Sequence, residues 1–238
     1  MTSQDPYNPA QSPHVRRCPM LPPLSDLAAR LSAALLSDVL DDLGFREQAM
    51  RPFVRPLDET VVLCGFARTG RYRLVDGVEP GRNPYAIEME LIDDLRPGEV
   101  AVLACDGPTD RVAPWGELLS TAAQVRGAAG CLTDGLVRDL RQIRAMRFPV
   151  FAGGVGPLDT KGRAEMAEKD VAVQVAGVRI EPGDLVFGDV DGCVVAPKAI
   201  APEAVARALA KASAEDRTRE ALLAGESLSS VFARFGVL

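Results

Sequence analysis

The sequence predicts a single α/β domain with mixed central sheet layers, flanked by helices and carrying N- and C-terminal helices. Three observations lead there. Helical and strand-like segments alternate between residues 116 and 153, the rhythm of units with parallel strands. Later apolar segments are short and joined by tight turns, which suits antiparallel pairing. A chain of 238 residues, 47% hydrophobic, can bury a sizeable core within one domain.

Residues 1–23 hold Pro6, Pro9, Pro13, Pro19, Pro22 and Pro23 among polar residues and read as a mobile arm, leaving 24–238 as the domain proper. From Leu24 the pattern turns helical, SDLAARL and then SAALLSDVLDDLG. In the second segment Ser32 is the expected N-cap, Leu35, Leu36, Val39, Leu40 and Leu43 share a face, and Gly44 is the expected stop. VVLCGFA (61–67) and GRYRLV (70–75) read as paired strands, and PYAIEMELIDDL (84–95) as a helix opened by Pro84. RPGEVAVLAC (96–105) and EPGDLVFGD (181–189) rhyme, each a Pro-Gly turn feeding a strand. Between them come a helix (116–127), strand GCLT (130–133), a helix (137–146) and a strand (148–153). Strands VAVQVAGVRI, DLVFGD and GCVVAP follow, and a long helix over 201–224 ends at Gly225.

Composition excludes much chemistry. With a net charge of −6 there is no broad cationic surface for nucleic acid, and no apolar run is long enough to span a membrane. Cys18, Cys64, Cys105, Cys131 and Cys193 are scattered without a C-x-x-C, which fits neither a disulfide framework nor a thiolate zinc site. MTSQDPYNPAQSPHVRRCPM lacks the apolar core of a signal peptide, so a cytoplasmic location is expected. His14 is the sole histidine and lies in the arm. Catalytic triads, Cys-His dyads and His-liganded zinc therefore lack their imidazole. What remains is chemistry by carboxylates, Arg, Lys, Tyr, backbone or water, with Mg²⁺ or Mn²⁺ as the natural metal.

Two constellations are candidates for that chemistry. Arg138-Asp139 follows the turn Asp134-Gly135, with the next helix expected to start near Val137. A carboxylate in a helix's first turn is also an ordinary answer to the helix dipole, and Arg138 an ordinary solvated charge. The second is APWGELLSTAA (113–123), where Gly116 lets a group approach the backbone and the free N–H groups of a helix start can hold a carboxylate. Trp115, the sole tryptophan, reads as core or interface, and Glu117 can simply complement the dipole. Both helices flank one strand, so their N-termini are expected to face the same end of the sheet. An acidic protein that binds a small dicarboxylate or keto acid needs such local positive character.

G-E-L-L followed by D-G-x-V-R-D resembles the 4-hydroxy-4-methyl-2-oxoglutarate aldolases and the related regulators of ribonuclease activity. Glu117 and Arg138 are separated by twenty residues, with Asp139 next, as in the aldolase signature. The likeness runs from SDVLDDLG through PGEVAVLAC, PVFAGGVGPLDTKGR and PGDLVFGDVDGCVVAP to LLAGESL, about four-fifths of the chain. It implies a swivelling β/β/α-like fold and a metal-dependent lyase that cleaves a C–C bond of a 2-keto acid through a pyruvate enolate, as aldolase or oxaloacetate decarboxylase. Asp139 would ligate the divalent metal, and Arg138 would bind the ketone oxygen. The N–H groups of Gly116, Glu117, Leu118 and Leu119 would cradle the substrate carboxylate. Glu117 would position a metal-bound water as proton donor, although the best-characterised aldolases carry Asp there and Glu occurs in the broader superfamily. Glu215, on a neighbouring subunit's C-terminal helix, would complete the site, in a homotrimer or dimer of trimers. The alternative from the same resemblance is a non-catalytic regulator that binds a ribonuclease.

The remaining residues read more simply. Asp189 and Asp191 suit an Asp-Gly turn, and the arginines of GLVRDLRQIRAMR a solvated helix face. Asp106, Asp110 and Arg111 precede Gly116 and either shape selectivity or face solvent. Lys161 and Lys198 are formal Schiff-base alternatives. GGVG (153–156) is a poor match to a nucleotide loop, which argues against methyl transfer from a nucleotide cofactor.

Overall fold

A computed structural model describes residues 21–237. The predicted arm, with His14 and Cys18, therefore lies almost wholly outside the described residues. Seven helices and twelve strands follow in order among them: α1 (Leu24–Arg30), α2 (Ala33–Asp42), β1 (Arg55–Pro56), β2 (Leu63–Leu74), α3 (Ala86–Asp93) and β3 (Glu99–Ala104). Then come α4 (Glu117–Val125), β4 (Gly130–Thr133), β5 (Leu136–Val137), α5 (Leu140–Met146), β6 (Val150–Ala152) and β7 (Gly154–Val155). The chain ends with β8 (Ala164–Lys169), β9 (Val173–Val175), β10 (Val178–Ile180), β11 (Leu185–Asp189), β12 (Gly192–Ala196), α6 (Ala201–Leu223) and α7 (Leu228–Phe235).

Eight strands form a mixed sheet in the order β1-β6-β4-β3-β2-β11-β12, with β8 also paired to β2. Parallel pairs β2·β3, β3·β4 and β4·β6 occupy one half, and antiparallel pairs of β2 with β11 and β8 the other. Arg55 of β1 donates to the carbonyls of Val190 and Asp191 beside β12, at 3.3 and 2.8 Å, so the sheet nearly closes on itself. Strand alternation sorts the core accordingly. Val100, Val102, Leu132 and Val186 meet inside the closed sheet, Ala101, Leu103 and Cys131 face α3, α4 and α5, and Leu185 and Phe187 face α1, α2 and α6. Burial of each such large apolar side chain stabilises by about 1.5–3 kcal/mol.

Local signals explain the element ends. Ser32 accepts the N–H of Leu35 at 3.2 Å, and Gly44 at φ +89° closes α2. The rhyming Pro-Gly turns both place glycine in the left-handed region, Gly98 at +82° and Gly183 at +89°. Each feeds a strand adjacent to β2, and Phe66 and Ala67 of β2 bond to the carbonyls of Gly98 and Asp184. Asp189 accepts the N–H groups of Ala33 and Asp191, an N-terminal and turn role as the Asp-Gly reading expects. Cys64, Cys105, Cys131 and Cys193 are free and buried. No described helix is long and apolar enough to cross a membrane.

Three expectations need correction. The two strands read at 61–67 and 70–75 are one strand, β2, because Gly70 does not turn. It marks a close approach, where a Cβ would lie 2.6 Å from Met166 Cε. VAVQVAGVRI is a hairpin, since Ala176 (φ +47°) and Gly177 (φ +91°) form a two-residue turn between β9 and β10. The helix read from Pro84 begins at Ala86, after Asn83 has accepted the N–H of Tyr85 through its side chain.

Candidate functional site

The site lies where the chain leaves the carboxyl ends of the parallel strands β3 and β4, the usual location in α/β sheets. Asp134 ties the two exits together. Its buried carboxylate accepts the N–H groups of Cys105 and Gly107, at 2.7 and 2.8 Å. Burial pushes its pKa up, and these amide bonds oppose the shift. The crossing needs glycine at 107 and 153, where a Cβ would lie 2.0 and 2.4 Å from the Asp134 carbonyl oxygen.

Further along, Trp115 and Val137 form a parallel bridge, and the Arg138 N–H donates to the Trp115 carbonyl at 3.0 Å. Trp115 is core, as its residue type suggested. Its indole N–H donates to Ser120 Oγ at 2.7 Å, and that hydroxyl donates to the Gly116 carbonyl at 2.9 Å. The ring also stacks near Phe148, with 6.4 Å between centroids. This fixes the first turn of α4 and sets Gly116 against Arg138 and Asp139.

Asp139 is not in the first turn of a helix beginning near Val137. β5 stays extended because it pairs with β7, so the chain turns only at Asp139, the N-cap residue of α5, with φ +62° and ψ +33°. Aspartate tolerates this left-handed conformation better than most residues. Its carboxylate makes no bond to its own helix. Oδ2 instead accepts the N–H of Glu117, the first residue of α4, at 3.2 Å.

A cleft of about 140 Å³ opens here, and Gly116, Leu118, Leu119, Arg138 and Asp139 all line it. Of the four amides expected to hold a carboxylate, that of Glu117 is already bonded to Asp139. Leu118 is 76% exposed at the rim. The Glu117 carboxylate accepts the Thr121 hydroxyl at 2.8 Å. Glu215 lies on α6, which packs against α2 and α7, and the cleft walls of its own chain do not include it. Asp106, Asp110 and Arg111 are exposed and outside the cleft as well.

Sequence reasoning missed the opposite wall, which is built by Tyr85, Glu88, Asp159 and Thr160. One signal was available. Glu88 shares a helical face with Leu91 and Ile92, and a carboxylate in an apolar stripe points into a core or a site. Arg138 lies between two carboxylates at loose range, 3.8 Å from Asp139 and 3.9 Å from Asp159. Burial pushes Asp159 up, but the Tyr85 hydroxyl (2.8 Å), the Arg138 charge and two backbone amides prevail and hold it below the usual range. Burial, then this bond and the Asp159 charge, raise Tyr85 to about 12, so it remains a donor.

Glu88 is pushed up to about 7 by burial, against the hydrogen bond donated by Tyr72 at 2.5 Å. A folded pKa above the unfolded value near 4.5 means that protonated Glu88 stabilises the fold below that pH, and that this stability is lost as pH rises through about 7. Glu88→Gln is therefore expected to exceed wild type in stability at pH 8 by about 1–3 kcal/mol. The gap should close by pH 4.5. Urea denaturation at both pH values checks this, and an equal gap at both would remove the assignment.

No group of three Asp, Glu, Cys or His residues converges among the described residues as a metal cage. The donor set suits a hard cation that keeps most of its waters. Asp139 offers a partly exposed carboxylate whose Oδ1 has no hydrogen bond to any described residue, and Mg²⁺ is commonly bound through one or two carboxylates. The chemistry fits.

The fold and the cleft define an α/β protein with a small cleft of mixed charge beside the carboxyl ends of its parallel strands. Residues 33–195 match the RraA-like family model, described as Aldolase/RraA, and the chain belongs to this family. A relative from Halalkalibacterium halodurans, named "Putative 4-hydroxy-4-methyl-2-oxoglutarate aldolase", is 31% identical over 78% of this chain and 81% of its own. Protein DlpA of Legionella pneumophila is 28% identical over 93% of this chain, which spans only 35% of that protein's length. Among solved structures, Streptomyces coelicolor RraAS2, described as an unusual member of the RNase ES inhibitor RraA family, superposes with a TM-score of 0.72 at 27% identity. That superposition covers 84% of this chain and 99% of the other.

Proposed function

We propose that this protein is a divalent-metal-dependent lyase that cleaves a C–C bond of a small 2-keto acid and releases pyruvate. The observation that carries the reading is the convergence of Arg138, Asp139 and the amide-lined start of α4 in one small cleft. Relatives that carry the name "Putative 4-hydroxy-4-methyl-2-oxoglutarate aldolase" support it.

Asp139 would hold Mg²⁺ or Mn²⁺. When bound, the metal supplies Lewis-acid polarisation of the keto acid's carboxylate and ketone oxygens. The N–H groups of Gly116, Leu118 and Leu119 receive the substrate carboxylate. Arg138 donates to the ketone oxygen and stabilises the charge that gathers there. With 4-hydroxy-4-methyl-2-oxoglutarate, the C4 hydroxyl passes its proton to the water that Glu117 holds, the C3–C4 bond breaks, one pyruvate departs and C3 is left as the enolate of a second. With oxaloacetate, carbon dioxide departs and leaves the same enolate. Glu117 holds the water that returns a proton to the enolate carbon. Glu215 of a neighbouring subunit would close the cleft in a homotrimer or dimer of trimers.

Pyruvate release from both substrates, coupled to lactate dehydrogenase, tests the reading. Protein stripped with EDTA should be inactive and Mg²⁺ or Mn²⁺ should restore it, above a metal-only blank. Arg138→Ala should lose about 10²–10³-fold in kcat, as for a single oxyanion donor. No metal-restored release from either substrate would sink the lyase and favour the ribonuclease-regulator class.

A further inference from the structure

Glu88 occupies a position that the lyase mechanism above does not use. Its side chain lines the cleft, yet the residue is only 7% exposed and shares a face with Leu91 and Ile92. Tyr72, itself buried, donates its hydroxyl to Oε2. Oε1 has no hydrogen-bond partner among the described residues. It is not sealed, however, for the fully buried unpaired side-chain atoms among them are Gln48 Oε1, Arg68 Nε and Thr218 Oγ1. An atom with neither a protein partner nor a seal, on a side chain in the cleft wall, opens to the cleft.

The surroundings decide which form of Glu88 an anionic ligand prefers. α3 packs on β2, β8 and α4. From β2 comes Tyr72, and just past the end of β3 the buried Cys105 thiol, which burial keeps protonated. On β8, Glu165 is paired with Arg73 and Arg82, and Lys169 with Glu90 and Asp94. α4 brings Glu117, bonded to Thr121. The cleft adds Tyr85, Asp159, Asp139 and one cation, Arg138. A keto acid would bring another negative charge among these carboxylates, and neutralising Glu88 relieves the repulsion while creating a donor.

We propose that Glu88 is protonated when an anionic keto acid occupies the cleft and donates a hydrogen bond from Oε1 to a ligand oxygen, so that binding takes up a proton from solvent. The inference rests on the keto-acid reading above. It concerns binding and specificity, and forms or breaks no covalent bond of the substrate. Because burial pushes the carboxyl of the unliganded protein up to about 7, little uptake is expected at pH 5.5 and uptake should approach one proton at pH 8.

Isothermal titration with oxalate, a planar dianion resembling the pyruvate enolate, tests this at constant saturating Mg²⁺ in two buffers of different ionisation enthalpy. Wild-type affinity should fall up to about tenfold per pH unit above 7, with proton uptake. Glu88→Gln should bind with no uptake and a flat pH profile. Tyr72→Phe removes the bond that favours ionised Glu88 and should move the fall in affinity to higher pH. Uptake persisting in Glu88→Gln overturns the inference, and so does tight wild-type binding without uptake. Pyruvate release without proton-linked oxalate binding removes this inference alone. Failure of both oxalate binding and pyruvate release removes the keto-acid reading and this inference with it.

Discussion

Asp139→Asn is expected to lower metal-restored pyruvate release by about 10³-fold or more while leaving the fold intact, because Lewis-acid stabilisation is worth several kcal/mol. The residue has two separable tasks. One is structural: Oδ2 accepts the Glu117 N–H and so satisfies one of the open donors at the start of α4. Asparagine keeps an oxygen there but loses the charge that holds a divalent cation. Asp139→Ala loses both and should add a stability cost of about 0.5–2 kcal/mol, the usual penalty for a missing cap. Mn²⁺ binding followed by electron paramagnetic resonance, with thermal unfolding alongside, separates the tasks. Wild-type Mn²⁺ affinity in Asp139→Asn would reduce Asp139 to a capping residue and remove it from the metal site.

The sequence spoke most clearly where the determinants are local. Ser32 caps, Gly44 stops α2, and the two Pro-Gly turns feed strands because a few neighbouring residues decide those conformations. The same holds for the two helix starts of the candidate site: Gly116, Leu118, Leu119, Arg138 and Asp139 line one cleft, while the Glu117 side chain, bonded to Thr121, is not among its walls. Legibility failed where a distant partner decides. Gly70 stays in a strand because it pairs with Leu103 of β3 and Lys169 of β8, and Met166 and Leu91 fill the space a side chain would take, which no window around FARTGRYRLV reveals. Asp139 turns left-handed because β7 and Trp115 hold the preceding residues extended. Asp159 joins the cleft from a Gly-Pro loop and is held there through Tyr85, a residue 74 positions away. Glu88 carried a local sign, its place in the apolar stripe, but only the fold shows that Oε1 opens to a cleft rather than a sealed core.

Gly116→Ala isolates the value of close approach. The backbone there is extended, with φ −157° and ψ −169°, a conformation any residue adopts, so the demand for glycine comes from neighbours alone. A Cβ would lie 2.7 Å from Asp139 Oδ2, 3.1 Å from Arg138 Cγ and 3.3 Å from Arg138 Nε. The carboxylate can rotate away, but that breaks its bond to the Glu117 N–H and turns it from where a cation would be held. If the backbone moves instead, α4 parts from Arg138, and the donors no longer point at one ligand. Overpacking of this kind costs about 1–3 kcal/mol of stability, and a misplacement of about 1 Å costs on the order of 10²-fold in rate. Gly44→Ala is the matched control. A methyl added at that glycine would meet nothing within 4 Å, but the backbone sits at φ +89°, so the substitution should cost about 1 kcal/mol and leave pyruvate release unchanged. Assays run well below both unfolding transitions decide between the two kinds of glycine. If Gly116→Ala matched Gly44→Ala in activity, Arg138 and Asp139 would not need to be held against the start of α4, and a site built on their contact would lose its basis.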